Sequence, residues 1–414
     1  MRLSTSMMYS NGLKGILAQE SDMNRLVEQV GSGRKFLSPA DDPLAAARAI
    51  DVAQTQSMNN TYGMNRQTAN TNLGQESNTL TAVTNALQEA RTRIIQAGST
   101  LSDSDRRTLS TALKSTRDAL LGLANTTDGN GQYLFSGNNG SVMPYSKNAA
   151  GQITYSNSIG ERTIQVDQSR QMSTSDLGKD IFGRANPGSQ AYVASTPQTN
   201  TGSAQFGAVS VAPGTGGGGK TFEVTYEADA ATGAMGYRIT TTNPDGSSTV
   251  VPQPPQAATL YADGAAVDFG GVSVAINGTP KPGDSIKLQS VQSTDMDVFA
   301  TLDNIIAALD APNDGDPVAM ARLNNALATG NKKLANNYDN VLTVQASVGA
   351  RQNELDALNA TGTQKGLSYS QSLSDLEELD YYQGASQLAL RQVALQAASA
   401  AFMTIQGSSL FSRK

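Results

Sequence analysis

The sequence predicts an α+β multidomain fold: a long α-helical, coiled-coil-like rod built from both chain ends, with a β-rich domain inserted between them. Three observations predict it. Apolar residues recur every seven positions through both flanks of the 414-residue chain. Between the flanks the pattern changes to short alternating runs. That middle zone is punctuated by Asn-Gly, Asp-Gly, Pro-Gly and Pro-Pro turn signals. The expected division is residues 1–38 with 373–414 as a terminal helical pair, 39–137 with 295–372 as a helical rod, and 138–294 as the β-rich insert.

The first helix is expected from Tyr9, Ile16, Met23 and Val30, seven apart, with Leu26 in the adjacent row. Gly12, Gly15, Gly31 and Gly33 weaken it, so it needs a partner to hold its shape. Asp42-Pro43 reads as an N-cap followed by a residue suited to the first helical position, opening an Ala-rich helix from Pro43 to Ala53. Leu73, Leu80, Leu87 and Ile94, with Val83, Ala90 and Ala97 three further on, form an a/d seam. A helix from about Gln56 to Ala97 would run about 60 Å. Ser102 and Asp105 have the spacing of a cap for the next helix, which carries Leu109, Leu113, Leu120 and Leu123 on one side.

In the insert, Gln152 to Tyr155, Thr163 to Val166, Phe222 to Tyr226 and Val272 to Ile276 read as strands. No residue from Ala185 to Gly219 is charged, which reads as a linker or long loop. Beyond the insert, Met320, Leu327, Leu334, Val341, Val348 and Leu355 form a second seam, with Leu323, Val344 and Leu358 in the companion row. That row also holds Gly330, Asn337 and Arg351, which favours an antiparallel bundle inside one subunit over an extended two-chain coil. Leu388, Leu395 and Phe402 close the chain with Ala398 and Ile405 beside them. Neither terminal stripe has the apolar area for an isolated core, so each is expected to need the other or a neighbouring subunit.

Composition excludes most chemistry. The chain has no His and no Cys, which removes triads built on them, imidazole or thiolate metal sites, and disulfides. Neither a cofactor nor a metal site is expected. A net charge of -6 with no basic block argues against nucleic acid. No run approaches the roughly 18 apolar residues of a membrane span. Met1 to Gln19 lacks the apolar core of a secretory signal, so export, if it occurs, is expected to take another route. Gly214, Gly219, Lys220 and Thr221 satisfy a phosphate-loop pattern, but the β-branched, alternating residues from Thr221 to Tyr226 predict a strand where that loop requires a helix. The acidic pairs Asp41-Asp42 and Glu377-Glu378 are read as a helix cap and a solvated helix face.

Ser32-Gly-Arg-Lys-Phe-Leu-Ser-Pro-Ala-Asp-Asp-Pro-Leu-Ala-Ala-Ala-Arg48 resembles the segment joining terminal and rod domains in the flagellin family, and the likeness runs through both flanks. The opening Met1-Arg-Leu-Ser-Thr-Ser6 with Tyr9, Gly131-Gln-Tyr-Leu-Phe-Ser-Gly137, Val348-Gly-Ala-Arg-Gln-Asn-Glu-Leu355 and the closing Ser409-Leu-Phe411 are similar to the branch that joins hook to filament. The resemblance implies a non-enzymatic, extracellular structural subunit, exported by the flagellar type III apparatus without a cleaved signal and self-associating in a ring. It implies contact with the preceding hook-associated protein and with flagellin, and a cytoplasmic export chaperone on the C-terminal helix. By position, Ser38, Pro39, Asp41, Asp42 and Pro43 would form the inter-domain connector. Tyr9, Ile16, Met23, Leu26, Val30, Leu388, Leu395, Ala398, Phe402 and Ile405 would form the assembly contacts. The rival readings are a filament subunit, and an adhesin or enzyme carried on the β insert.

Overall fold

The computed structural model describes residues 5–99, 101–156, 160–213, 218–229, 232–313 and 315–407. The chain ends quoted above, residues 1–4 and 408–414, lie outside them. The helices are α1 (Thr5–Ser32), α2 (Pro43–Ala97), α3 (Asp103–Ala124), α4 (Gly178–Phe182), α5 (Val298–Asp310), α6 (Pro317–Glu377) and α7 (Tyr381–Gly407). The strands before α5 are β1 (Tyr145–Lys147), β2 (Ile153–Tyr155), β3 (Thr163–Asp167), β4 (Arg170–Ser173), β5 (Tyr192–Ser195), β6 (Gln205–Val211), β7 (Thr221–Ala228), β8 (Met235–Thr242), β9 (Ser248–Val251), β10 (Thr259–Leu260), β11 (Ala266–Asp268), β12 (Val272–Asn277) and β13 (Ser285–Ser290). Long helices from both flanks and a β-rich middle are the α+β class the sequence predicts.

The helices start where their caps put them. Asp42 Oδ1 accepts the Ala45 N–H at 2.9 Å and α2 opens on Pro43. It then continues unbroken to Ala97, so the two helices expected from Pro43 and from Gln56 are one. Ser102 caps α3, taking the Asp105 N–H at 3.2 Å and donating its hydroxyl to Asp105 Oδ2 at 2.7 Å.

Backbone contacts divide the chain into two compact units: Met1–Arg66, Val166–Gln168 and Asp356–Lys414 in the first, Gln67–Gln165 and Ser169–Leu355 in the second. The second unit holds the main core. On α2 the whole predicted seam is buried, Leu73 through Ala97, and on α6 Leu323, Leu327, Leu334, Val341, Val348 and Leu355 are buried, while Val344 is half-buried and Met320 stays exposed. Gln88 Nε2 donates to Tyr338 Oη at 2.7 Å and Gln345 Nε2 to Thr81 Oγ1 at 3.0 Å, tying α2 to α6. Gly330 is in the seam because α5 comes close: a Cβ there would overlap Ile305 Cδ1.

Besides the two-stranded sheets β1-β2 and β3-β4, the insert is built on two larger antiparallel sheets, β10-β8-β7-β13-β5 with β9 also on β8, and β11-β12-β6. The larger two share one core, which includes Tyr192, Phe206, Phe222, Val224, Val274, Ile276, Ile286 and Leu288. Val224 pairs with Ile286 on one side and Ile239 on the other, so apolar residues stand on one face of three adjacent strands. The segment read as a linker is corrected here. Residues 185–219 contain β5 and β6, with Tyr192, Val193, Ala194 and Phe206 buried. Their lack of charge reflects burial, and even the intervening turn is pinned, because Asp284 accepts the N–H groups of Thr201 and Gly202 at 2.7 and 2.9 Å. Thr221 opens β7, so a strand follows the phosphate-loop lookalike; Gly214 itself lies outside the described residues.

Candidate assembly surface at the paired terminal helices

Within the first unit α1 packs against α7. The Tyr9 and Phe402 rings meet with centroids 5.0 Å apart at one end. At the other end a Cβ on the buried Gly384 would lie 3.3 Å from Val30 Cγ2. These contacts set an antiparallel register in which Ile16 falls opposite Leu395 and Met23 opposite Leu388, and Arg391 Nη1 reaches Asp22 Oδ2 at 2.7 Å. Leu26 is buried; Ile16, Met23, Val30, Leu388, Leu395, Ala398 and Phe402 are half-buried; Tyr9 is exposed. The two predicted stripes therefore meet in one seam inside one chain. Ile405 belongs to α7, but its side chain is outside the described residues. Gly12, which weakens α1 as an isolated helix, admits the partner: a Cβ there would lie 2.9 Å from Phe402 Cδ2.

The connector is held by backbone groups. Leu379 N–H donates to Gly33 O and Lys35 N–H to Glu377 O, both at 2.8 Å, while Arg34 pairs with Glu377 at 2.9 Å. Gly33 has φ +73°, with the Tyr381 hydroxyl where a Cβ would stand. Asp41 Oδ2 accepts the N–H groups of Ser38 and Leu37, each at 2.9 Å, and these bonds hold its carboxyl below the usual carboxylate range. Ser38, Pro39, Asp41, Asp42 and Pro43 are all exposed. Every carboxylate in the two acidic pairs is thus engaged, Glu378 accepting from Ser374 Oγ at 2.6 Å. Among the described residues no group of three acidic side chains is placed to hold a metal ion, and no helix is long and apolar enough to cross a membrane.

The balance of buried and exposed apolar residues sets this unit apart. Of its described apolar side chains, only Leu26, Ala46, Ala49 and Val166 are fully buried. Leu13, Leu17 and Val27 on α1 and Leu390, Val393 and Met403 on α7 stay exposed, as do Leu44, Ile50 and Met64 on α2 and Leu367 on α6. Monomeric proteins rarely expose so much large apolar surface on so little core. These outward residues are not in the stripes picked out by the seven-residue period. The sequence does carry a sign of them: from Leu388 to Met403, α7 has apolar residues on every side, the pattern of a helix covered all round.

Residues 3–140 match the profile of the bacterial flagellin N-terminal helical region. A flagellar hook-associated protein 3 of Escherichia coli K12 is 30% identical over 412 residues, 99% of each chain. The crystal structure of flagellar hook-associated protein 3 from Legionella pneumophila superposes with a TM-score of 0.68 at 27% identity, covering 78% of this chain and 98% of that one. Another crystal structure, described as the flagellar junction protein FlgL of Legionella pneumophila, superposes with a TM-score of 0.65 at 26% identity, covering 80% of this chain and 100% of that one.

Proposed function

The chain belongs to the flagellar hook-associated protein 3 family, and from that premise we propose that it is a structural subunit of the bacterial flagellum, forming the junction between hook and filament. The observation that carries this reading is the first unit's mismatch between a small core and a large exposed apolar surface. Such a unit is completed by its neighbours: in a ring of identical chains, Leu13, Leu17, Val27, Leu390, Val393 and Met403 are covered by adjacent copies. The α1/α7 seam, with Tyr9, Ile16, Met23, Leu26, Val30, Leu388, Leu395, Ala398, Phe402 and Ile405, sets the shape of the element that assembles, and the connector Ser38 to Pro43 joins it to α2. The hook-associated protein laid down before it bounds the ring on one side, and flagellin polymerises on the other.

Before export, α7 presents an apolar surface to the cytoplasm, which is the feature a dedicated export chaperone covers. Its protein partners and the flagellar export route give the chain an extracellular place and a role without catalysis. Antibody labelling of isolated flagella is the test. A single band between hook and filament is expected, and a strain lacking the protein should keep its hooks while releasing flagellin unassembled. Label along the whole filament would make the chain a filament subunit instead.

A further inference from the structure

In the second unit Glu76 of α2 is 0% exposed, the one fully buried glutamate among the described residues. It lies under the strap that runs from β4 to α4, residues 174–177, of which Thr174, Ser175 and Leu177 are buried. Glu76 Oε1 accepts the Asp176 N–H at 3.0 Å, while Oε2 has no donor. The Asp176 carboxylate is taken by the Arg351 guanidinium of α6, whose Nη1 also donates to Ser173 O at 3.3 Å. The site therefore holds two carboxyl groups and one cation, and that cation is already paired. The remaining charged groups offer Glu76 no relief. Glu161, ahead of β3, adds negative charge beside Asp176, and Arg170 of β4 is held by Glu354 at 2.6 Å. An ionised Glu76 would be a buried anion with one oxygen unsatisfied, whereas a carboxylic acid carries no charge and brings its own donor.

We propose that Glu76 is carried in the fold as a neutral acid and that its proton latches the 174–177 strap onto α2 and α6, so that the strap is fastened in acid and neutral surroundings and released in alkaline ones. Loss of the proton to water places a second negative charge beside Asp176, which opposes the seating of the strap on α2. Burial, with the Asp176 charge next to it, raises the Glu76 carboxyl to about 8. A native value raised above the unfolded one means that the contribution to stability is complete below the ordinary glutamate range. It falls as pH rises, and is gone above about 8.

The experiment compares the full-length protein with Glu76→Gln, which keeps the shape and cannot ionise. Hydrogen exchange of amides 174–177, corrected for the intrinsic effect of pH, should accelerate in the wild type between about pH 5 and 8, level off above that, and stay level throughout in the variant. Between about pH 5 and 8 the wild-type unfolding constant should rise up to tenfold per pH unit relative to the variant, then level off. Infrared difference spectra of wild type grown on carboxyl-13C glutamate should show a protonated-glutamate C=O stretch that vanishes on alkaline titration. This measurement needs no variant and so stands even if Glu76→Gln misfolds. Absence of that stretch at pH 6.5, or strap exchange in the wild type that ignores pH, would overturn the proposal.

Discussion

Asn337 stands in a heptad row where a two-chain coil would place leucine, yet it is fully buried, and its Nδ2 donates to the Met296 carbonyl at 2.8 Å. Asn325 works in both directions, donating to Ala204 O at 3.0 Å and accepting the Phe206 N–H at 3.2 Å, and Asn340 donates to Asp180 O at 2.8 Å. These α6 side chains attach the insert to the helix by satisfying backbone groups that no strand partner reaches. Asn337→Ala should therefore cost about 1–3 kcal/mol, because it strands the Met296 carbonyl; urea denaturation of the full chain measures it. Asp41 gives a prediction of the opposite pH sign to Glu76. Its carboxyl is lowered by the amides of Ser38 and Leu37, so the loop it orders is held above the ordinary carboxylate range and loosens as pH falls through the lowered value. Asp41→Asn should remove that acid dependence from hydrogen exchange at residues 37–41.

At the scale of elements, α1 and α7 depend on the short backbone pairing at the connector and on close approach at Gly12 and Gly384. Leu379→Pro deletes the donor to Gly33 O, together with the Leu379 side chain that packs at Gly384 beside Val30. Hydrogen exchange should then quicken along α1 and α7, while amides of α2 from Leu73 to Ile94 remain slow, since their row is buried within the second unit. Equal exchange in the variant and wild type would mean that the seam alone holds the pair. The aromatic cluster makes the complementary point for the insert. Tyr145 lies 5.0 Å from Phe299 and 5.6 Å from Phe182, so an insert residue covers the first turn of α5.

For the whole molecule, the distribution of apolar surface separates stability from assembly. Leu390→Asp or Val393→Asp changes a side chain that is 68% or 64% exposed, so the melting temperature of the isolated chain should hardly move, while junction formation, scored by flagellin left unassembled, should be lost. Leu26→Asp, at a position 8% exposed, should instead destabilise the α1/α7 pair in the free chain. Replacing residues 138–294 with a Gly/Ser linker would leave Asn325 and Asn340 without the backbone groups they serve and uncover Phe299. The melting temperature of the remaining helices should fall by many degrees, and circular dichroism across a thermal ramp shows whether it does.

What the sequence determined by itself is whatever depends on neighbours along the chain. The α+β class, the seams of α2 and α6, the Asp42 and Ser102 caps and the stripes of α1 and α7 all follow from spacing within a few turns of helix. Only the tertiary structure decided which oxygen each buried asparagine serves, that the uncharged 185–219 segment supplies β5 and β6, and that Gly12 and Gly330 mark close approaches. It also decided that Leu390 and Val393 point outward while Leu395 turns toward α1. A period tells which residues share a face. Whether that face meets its own chain or another is settled by contacts between segments hundreds of residues apart, for which spacing along the chain carries no term.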